Sequence, residues 1–196
     1  MTLLVASRNP GKLEEMARLL GPAGWRVRPV EDEVPGFDVE ETGETFEENS
    51  LLKARAAWEK TGGWVMADDS GLEVEELGNE PGVRSARYLR PDATFPERWE
   101  HILGKLADLP DDRRAARFRC VVSLVGPEGD EHRFDGTCPG TIAREARGSG
   151  GFGYDPVFVP GGYEQTFAEM EPALKDRLSH RGIAVRKAAA FLAELT

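Results

Sequence analysis

Cysteine is scarce in this chain. Its 196 residues hold two, Cys120 and Cys138, with no CxxC spacing. That excludes a disulfide framework and a thiolate zinc site, and it fits a reducing cytoplasm. No apolar run is long enough to span a bilayer, and the opening MTLLVASRNPGK has neither the basic region nor the small-residue cleavage site of a secretion signal. Positive charge is also short: 25 Lys and Arg face 35 Asp and Glu, a net charge of −10. Nucleic-acid polymers are held by basic faces, so that partner is excluded. A small anion met by a few converging cations, or arriving with a divalent metal, is not. Internal repeats, low-complexity tracts and obvious linkers are missing too. What remains is ordinary globular composition, 40% hydrophobic and 31% charged. The length suits one domain over residues 1–196, with two lobes whose boundary the sequence does not mark.

Helical and strand periods alternate along the chain. Residues 2–6 (TLLVA) read as a buried strand and SRNPG breaks it. KLEEMARLLG then places Leu13, Met16, Ala17 and Leu20 at helical spacing before Gly21. Residues 25–30 suit a second strand and 31–44 an acidic loop. Thr45 and Glu48 form a capping box for a helix running to Thr61, stopped by Gly62 and Gly63. Thr94 and Glu97 form another, ahead of an apolar face of Trp99, Ile102, Leu103 and Leu106. WVMA reads as a strand ended by a DDSG turn, with Leu72 to Val74 resuming the β path. Residues 117–125 (RFRCVVSLV) are the clearest β segment, and PEGDE turns them into HRFDGT as a hairpin. YDPVFVP is a short strand. The last helix, after SHRG, directs Ala184, Ala188, Phe191, Leu192 and Leu195 to the core. Helices and strands interleaved around a hairpin predict an α/β fold with a mixed sheet.

Five polar segments interrupt this pattern. In ADDSGLEV (67–74) two acids adjoin after an apolar strand. Ionised in contact they repel by about 4 kcal/mol at an effective dielectric near that of a protein surface, so a buried pair needs a cation. SRNPGK fails as a P-loop, because Ala6 replaces the first glycine and Leu13 the metal-binding hydroxyl. Its backbone amides, with Lys12 at a helix N-terminus, suit phosphate oxygens, and a plain turn with a solvated lysine would look the same. GSGGFG matches G-x-G-x-x-G at Gly148, Gly150 and Gly153. The proline-interrupted segment after it is not the helix that a dinucleotide fold requires. Phe152 and Tyr154 are left as stacking surfaces with Asp155 as a polar handle, or as core aromatics of a hairpin turn. SHRG (179–182) offers Ser179 as an N-cap. His180 and Arg181 there oppose the helix macrodipole, as ligand donors or solvated surface cations would. EETG supplies Glu40 and Glu41. With Asp68 and Asp69 these are all-oxygen donors, suited to Mg²⁺, with Mn²⁺ as a substitute.

Taken in order, SRNPGK, EETG with F-E-E-N and LLKA, ADDSGLEV, PGVRSARY, GFGYDPVF, TFAEM and SHRG resemble the inosine triphosphate pyrophosphatase family, the XTP/dITP diphosphatases, over nearly the whole chain. Two positions depart. Ser7 stands where threonine is common, keeping the hydroxyl, and Arg84 stands where tyrosine is usual, which leaves open any dimer role of that side chain. The resemblance implies a long twisted mixed β-sheet flanked by helices, two lobes around a central cleft, and a homodimer. It implies hydrolysis of ITP, dITP and XTP to the monophosphate and pyrophosphate, with Mg²⁺ as cofactor. Carried over residue by residue, Asp69 becomes the proton acceptor and a metal ligand together with Glu40, and Lys53 its catalytic neighbour. Ser7, Arg8, Asn9, Pro10, Gly11 and Lys12 bind the triphosphate. Ser70, Phe152, Gly153, Tyr154, Asp155, Lys175, His180 and Arg181 complete the nucleotide site. Arginine has donors only, so Arg181 set against a purine 6-oxo group would favour hypoxanthine and xanthine over adenine. Two rivals stand beside this reading. Maf-type nucleotide pyrophosphatases lack the GFGYDP and SHRG segments, and a catalytically silent nucleotide-binding protein would be expected to have lost Asp69 or Lys12.

Overall fold

The computed structural model describes residues 1–195. Its first stretch runs β1 (Thr2–Val5), α1 (Pro10–Leu20), β2 (Arg26–Pro29), α2 (Phe46–Thr61), β3 (Val65–Val74) and β4 (Glu80–Pro81). It continues through α3 (Phe95–Lys105), β5 (Ala115–Val125), β6 (Glu131–Ile142), β7 (Phe158–Pro160), α4 (Pro172–Leu178) and α5 (His180–Ala193). The strands pair in the order β2-β1-β3-β5-β6-β7, with β4 beside β3. β1 is parallel to β2 and β3, whereas β4 runs antiparallel to β3 and β7 to β6. The sheet is therefore mixed, as expected. β5 turns into β6 through a Gly126 N–H to Asp130 carbonyl bond of 2.9 Å, the predicted hairpin.

The helix starts follow from their caps. Pro10 occupies the first turn of α1, and the Asn9 side chain accepts from the Gly11 and Lys12 amides at 2.9 and 3.3 Å. Thr45 with Glu48, and Thr94 with Glu97, close the two capping boxes at the heads of α2 and α3. Gly21 does not stop α1 in a left-handed cap. It stays right-handed and leads into a 3-10 turn, and Gly24 supplies the positive φ of +79° three residues later.

Contacts divide the chain into two compact units, one of Met1–Asp69, Cys120–Gly136 and His180–Thr196, the other of Ser70–Arg119 and Thr137–Ser179. In the first unit the period of two along each strand sorts side chains onto two cores. Leu3, Val5 and Met66 pack with Met16 and Leu20 of α1 and with Ala184, Ala188 and Leu192 of α5. Leu4, Ala6, Val65 and Ala67 pack on Ala54 and Ala57 of α2. The second unit is centred on Leu72, Ile102, Leu106 and a Phe118–Phe158–Phe167 aromatic group. Each fully buried Leu or Phe in these cores is worth roughly 1.5–3 kcal/mol.

Three expectations are corrected. DDSG is no turn: β3 runs unbroken for 10 residues and is buried at every position but Ser70. Its neighbours β1 and β5 flank it in the sheet order, so its backbone stays in the ladder despite weak strand formers. Leu195 is 48% exposed because α5 ends at Ala193. On α1, Ala17 lies outward and Glu15 takes the buried place beside Met16.

Candidate active site

Because β3 continues through the two acids, alternation places their side chains on opposite faces of the sheet. Asp68 shares its face with Met66, toward α1 and α5, and Asp69 shares its face with Ala67, toward α2. The repulsion expected of the pair is answered separately on each side.

On the α1/α5 face, Asp68 Oδ2 lies 3.0 Å from Lys12 Nζ and 3.2 Å from Arg181 Nε. Arg181 Nη1 reaches Glu15 Oε2 at 2.6 Å. Glu15, Asp68 and Arg181 are all buried. Burial opposes ionisation of Asp68, but Lys12, Arg181 and Lys53 overcome it and hold its carboxyl well below the usual carboxylate range. Burial likewise opposes the Arg181 charge, and Asp68 and Glu15 outweigh it. Cys120, whose Sγ sits 3.9 Å from the Asp68 carboxylate, is kept a thiol by burial and by that negative charge.

On the α2 face, Asp69 Oδ1 lies 3.5 Å from Lys53 Nζ, and Lys53 also meets Glu41 Oε1 at 2.5 Å. Asp69 Oδ2 accepts from Asn49 Nδ2 at 3.2 Å. Burial pushes the Asp69 carboxyl above the usual range. Lys53 pulls against that, while Glu41 adds to it. Burial works to lower the Lys53 pKa, and Asp69, Asp68 and Glu41 together hold it above its ordinary value. In the first unit, then, Glu15, Glu41, Asp68 and Asp69 face Lys12, Lys53 and Arg181, and Asp69 is the acid left short of cations. Among the described residues no group of three or more His, Cys, Asp or Glu forms a closed metal cage. Asp69 and Glu41, both beside Lys53 Nζ, are oxygen donors of the kind a hard divalent ion takes, one or two carboxylates being completed by water and phosphate oxygens. Of the EETG acids Glu41 joins Lys53, whereas Glu40 is exposed.

The SRNPGK turn is built differently from the expectation. The Gly11 and Lys12 amides are taken by Asn9, whose own N–H donates to Ser7 Oγ at 3.2 Å. Arg8 is exposed and donates to the Phe37 carbonyl at 2.6 Å. Those two amides are thus occupied, and the Lys12 side chain is turned to Asp68. Arg181, expected to face a base, has Nε and Nη1 committed to carboxylates. His180 beside it is buried, and a side chain at Gly136 of β6 would collide with its carbonyl.

The second unit has its own polar cluster. Asp155 Oδ2 accepts from Lys175 Nζ and from the Phe152 amide, both at 2.7 Å, and Lys175 Nζ lies 4.8 Å from the centre of the Phe152 ring. Asp155 and Lys175 are both buried. Gly151, at φ +68°, leaves the room that Asp155 Oδ2 fills. Phe152 is half-buried, as is Ser70 at the start of this unit. Tyr154 is no stacking surface: it is buried edge-on to Phe95, with its hydroxyl donating to the Ser85 carbonyl at 2.8 Å.

Glu15 and Asn49 were missed in the sequence. The signal for Asn49 was its spacing of four from Lys53, which puts both on one face of α2. For Glu15 it was an acid standing directly between Glu14 and core-facing Met16, three residues after Lys12.

Residues 3–191 match the Ham1 family. A dITP/XTP pyrophosphatase of Desulforamulus reducens is 46% identical over 196 residues, covering 100% of this chain and 97% of that protein. One of Mycobacterium tuberculosis is 50% identical over 186 residues, covering 93% and 91%. The solved Ham1 protein of Staphylococcus aureus superposes with a TM-score of 0.88 at 39% identity, over 100% of both chains. A HAM1 protein from Coxiella burnetii gives 0.89 at 40% identity, over 99% of each.

Proposed function

The chain belongs to the Ham1 family, and from that premise we propose that it hydrolyses dITP, XTP and ITP to the nucleoside monophosphate and pyrophosphate. The role of such a reaction is to remove deaminated purines before they enter DNA or RNA. The observation that carries the reading is the split between adjacent acids: Asp68 is held ionised among cations, and Asp69 is raised beside one lysine and a second carboxylate. Environments that push two carboxyls apart assign them different tasks.

Asp69 takes the proton of the attacking water, as a carboxylate held in place by Lys53 and Asn49. Lys53 keeps its charge and offers donors to a phosphate oxygen while holding Asp69 Oδ1. Lys12 and the Ser7 hydroxyl bind phosphate oxygens, and Asp68 and Glu15 orient Lys12 and Arg181 without touching substrate. Glu41 and Asp69, with Glu40 on the same loop, are the donors that would hold Mg²⁺, or Mn²⁺ in its place. The chemistry it would supply there is neutralisation of charge on the phosphate oxygens. Phe152 is assigned to purine stacking, with Lys175 and Asp155 holding its loop, and the His180–Arg181 pair to recognition of the 6-oxo group. A cytoplasmic homodimer completes this reading.

The test is a product assay with dITP and Mg²⁺. The expected products are dIMP and pyrophosphate, with activity lost in excess chelator. Orthophosphate as the first product, or full activity in chelator, would reject the proposal.

A further inference from the structure

The loop that carries Glu41 and the strand that carries Asp69 meet on one side chain. Asn49 is fully buried on α2, one turn before Lys53. Its Oδ1 accepts from the Gly43 N–H at 2.8 Å, while Nδ2 donates to the Gly43 carbonyl at 3.3 Å and to Asp69 Oδ2 at 3.2 Å. A side-chain amide nitrogen has two hydrogens, and both are used. The flipped amide is excluded because Nδ2 would then face the Gly43 N–H, donor against donor. The loop is also pressed onto this residue. A Cβ at Gly43 would lie 2.7 Å from Asn49 Oδ1 and 2.7 Å from Glu48 Cβ.

We propose that Asn49 is a positioning residue for the reaction, one that ties the Glu40–Gly43 loop to Asp69 and fixes the rotation of its carboxylate. With Oδ2 held by Asn49, Oδ1 is the oxygen turned to Lys53. The loop acid and the strand acid are thereby held at one spacing by a single amide. Asparagine suits the place because the site needs one acceptor and two donors on a short stem: aspartate lacks the donors, and glutamine is a methylene too long. This inference rests on Asp69 being the proton acceptor, as proposed above.

Two variants test it. Asn49→Leu keeps the number and branching of side-chain heavy atoms and removes every polar one, and Gly43→Ala leaves Asn49 intact while forcing the loop away from it. The wild-type protein is assayed first. If it releases no pyrophosphate from dITP, the functional reading fails, and calorimetric titration of Mn²⁺ into the protein alone still judges the role of Asn49. In both variants kcat for dITP should fall about 10–100-fold, and Mn²⁺ binding by the free protein should weaken about tenfold, the usual scale for groups that orient metal-binding carboxylates. KM should stay within about threefold of wild type, because an orienting interaction acts mainly on kcat. Unchanged kcat per folded molecule together with unchanged Mn²⁺ affinity would make Asn49 merely structural and overturn the inference. If Asn49→Leu does not fold, Gly43→Ala decides by the same two readouts.

Discussion

Asp68 and Asp69 are neighbours in sequence with opposite electrostatic fates, and substitution should separate them. Asp68→Asn leaves Arg181 and Lys12 facing a neutral amide, and breaking a buried ion pair from one side costs roughly 3–5 kcal/mol. For a chain of this length that lowers Tm on the order of 10 °C. Asp69→Asn removes a carboxylate that burial already disfavours. Its Tm should stay within a few degrees of wild type, while kcat falls by about 100-fold or more with loss of the base. Thermal melts and single-turnover assays on the two variants check this, and the assignment fails if the two effects exchange places. Base choice is tested at Arg181. Arg181→Lys keeps a charge for Asp68 and Glu15 but loses the planar fork, so the ITP/ATP ratio of kcat/KM should fall in this variant. Lys12→Ala should weaken both substrates alike and leave that ratio unchanged.

Among the elements, the caps were the features most legible in the sequence. Both capping boxes, at Thr45 and Thr94, are local patterns whose partners lie three residues away. Their energetic weight can be measured. Thr45→Ala should destabilise by about 1 kcal/mol and leave the chemistry of α2 otherwise intact, seen as a small fall in Tm at constant kcat. At the head of α3, the Thr94 backbone N–H, Arg90 and the Thr94 hydroxyl draw the Glu97 pKa from 4.5 down to about 2. The sign follows from linkage: a carboxylate depressed in the folded state lends stability that is full above its unfolded pKa and is lost as pH falls through the folded one. NMR titration should place the Glu97 midpoint near 2, and Glu97→Gln should flatten the stability profile between about pH 4.5 and 2. β3 was not legible in the same way. Asp, Ser and Gly are poor strand formers, and what keeps them extended is pairing with strands distant in the chain. Glu15 was hidden for the same reason, since its partner Arg181 lies 166 residues on.

At the scale of the whole molecule, the mixed α/β character was readable from interleaved periods, whereas the division into two units was not, because the chain enters each of them more than once. The charge balance was readable outright. With a net charge of −10, the protein should show no retention on immobilised single-stranded DNA or heparin even at low ionic strength, where a basic face would bind most strongly. Retention that weakens with added salt would contradict this. The path of β3 has one further consequence. A strand that slips by one residue turns every side chain to the other face. A slip in one direction would bring Ala67 to Arg181 and Lys12, leaving Lys12 without its acid and buried Arg181 with Glu15 alone. A slip in the other would bring Ser70 to Lys53 and Asn49 and take the carboxylate from them. Two consecutive acids, one answered from α1 and α5 and the other from α2, thus act as a key that fits the sheet in one alignment only, so the residues proposed to carry the chemistry also specify how the central strand is threaded.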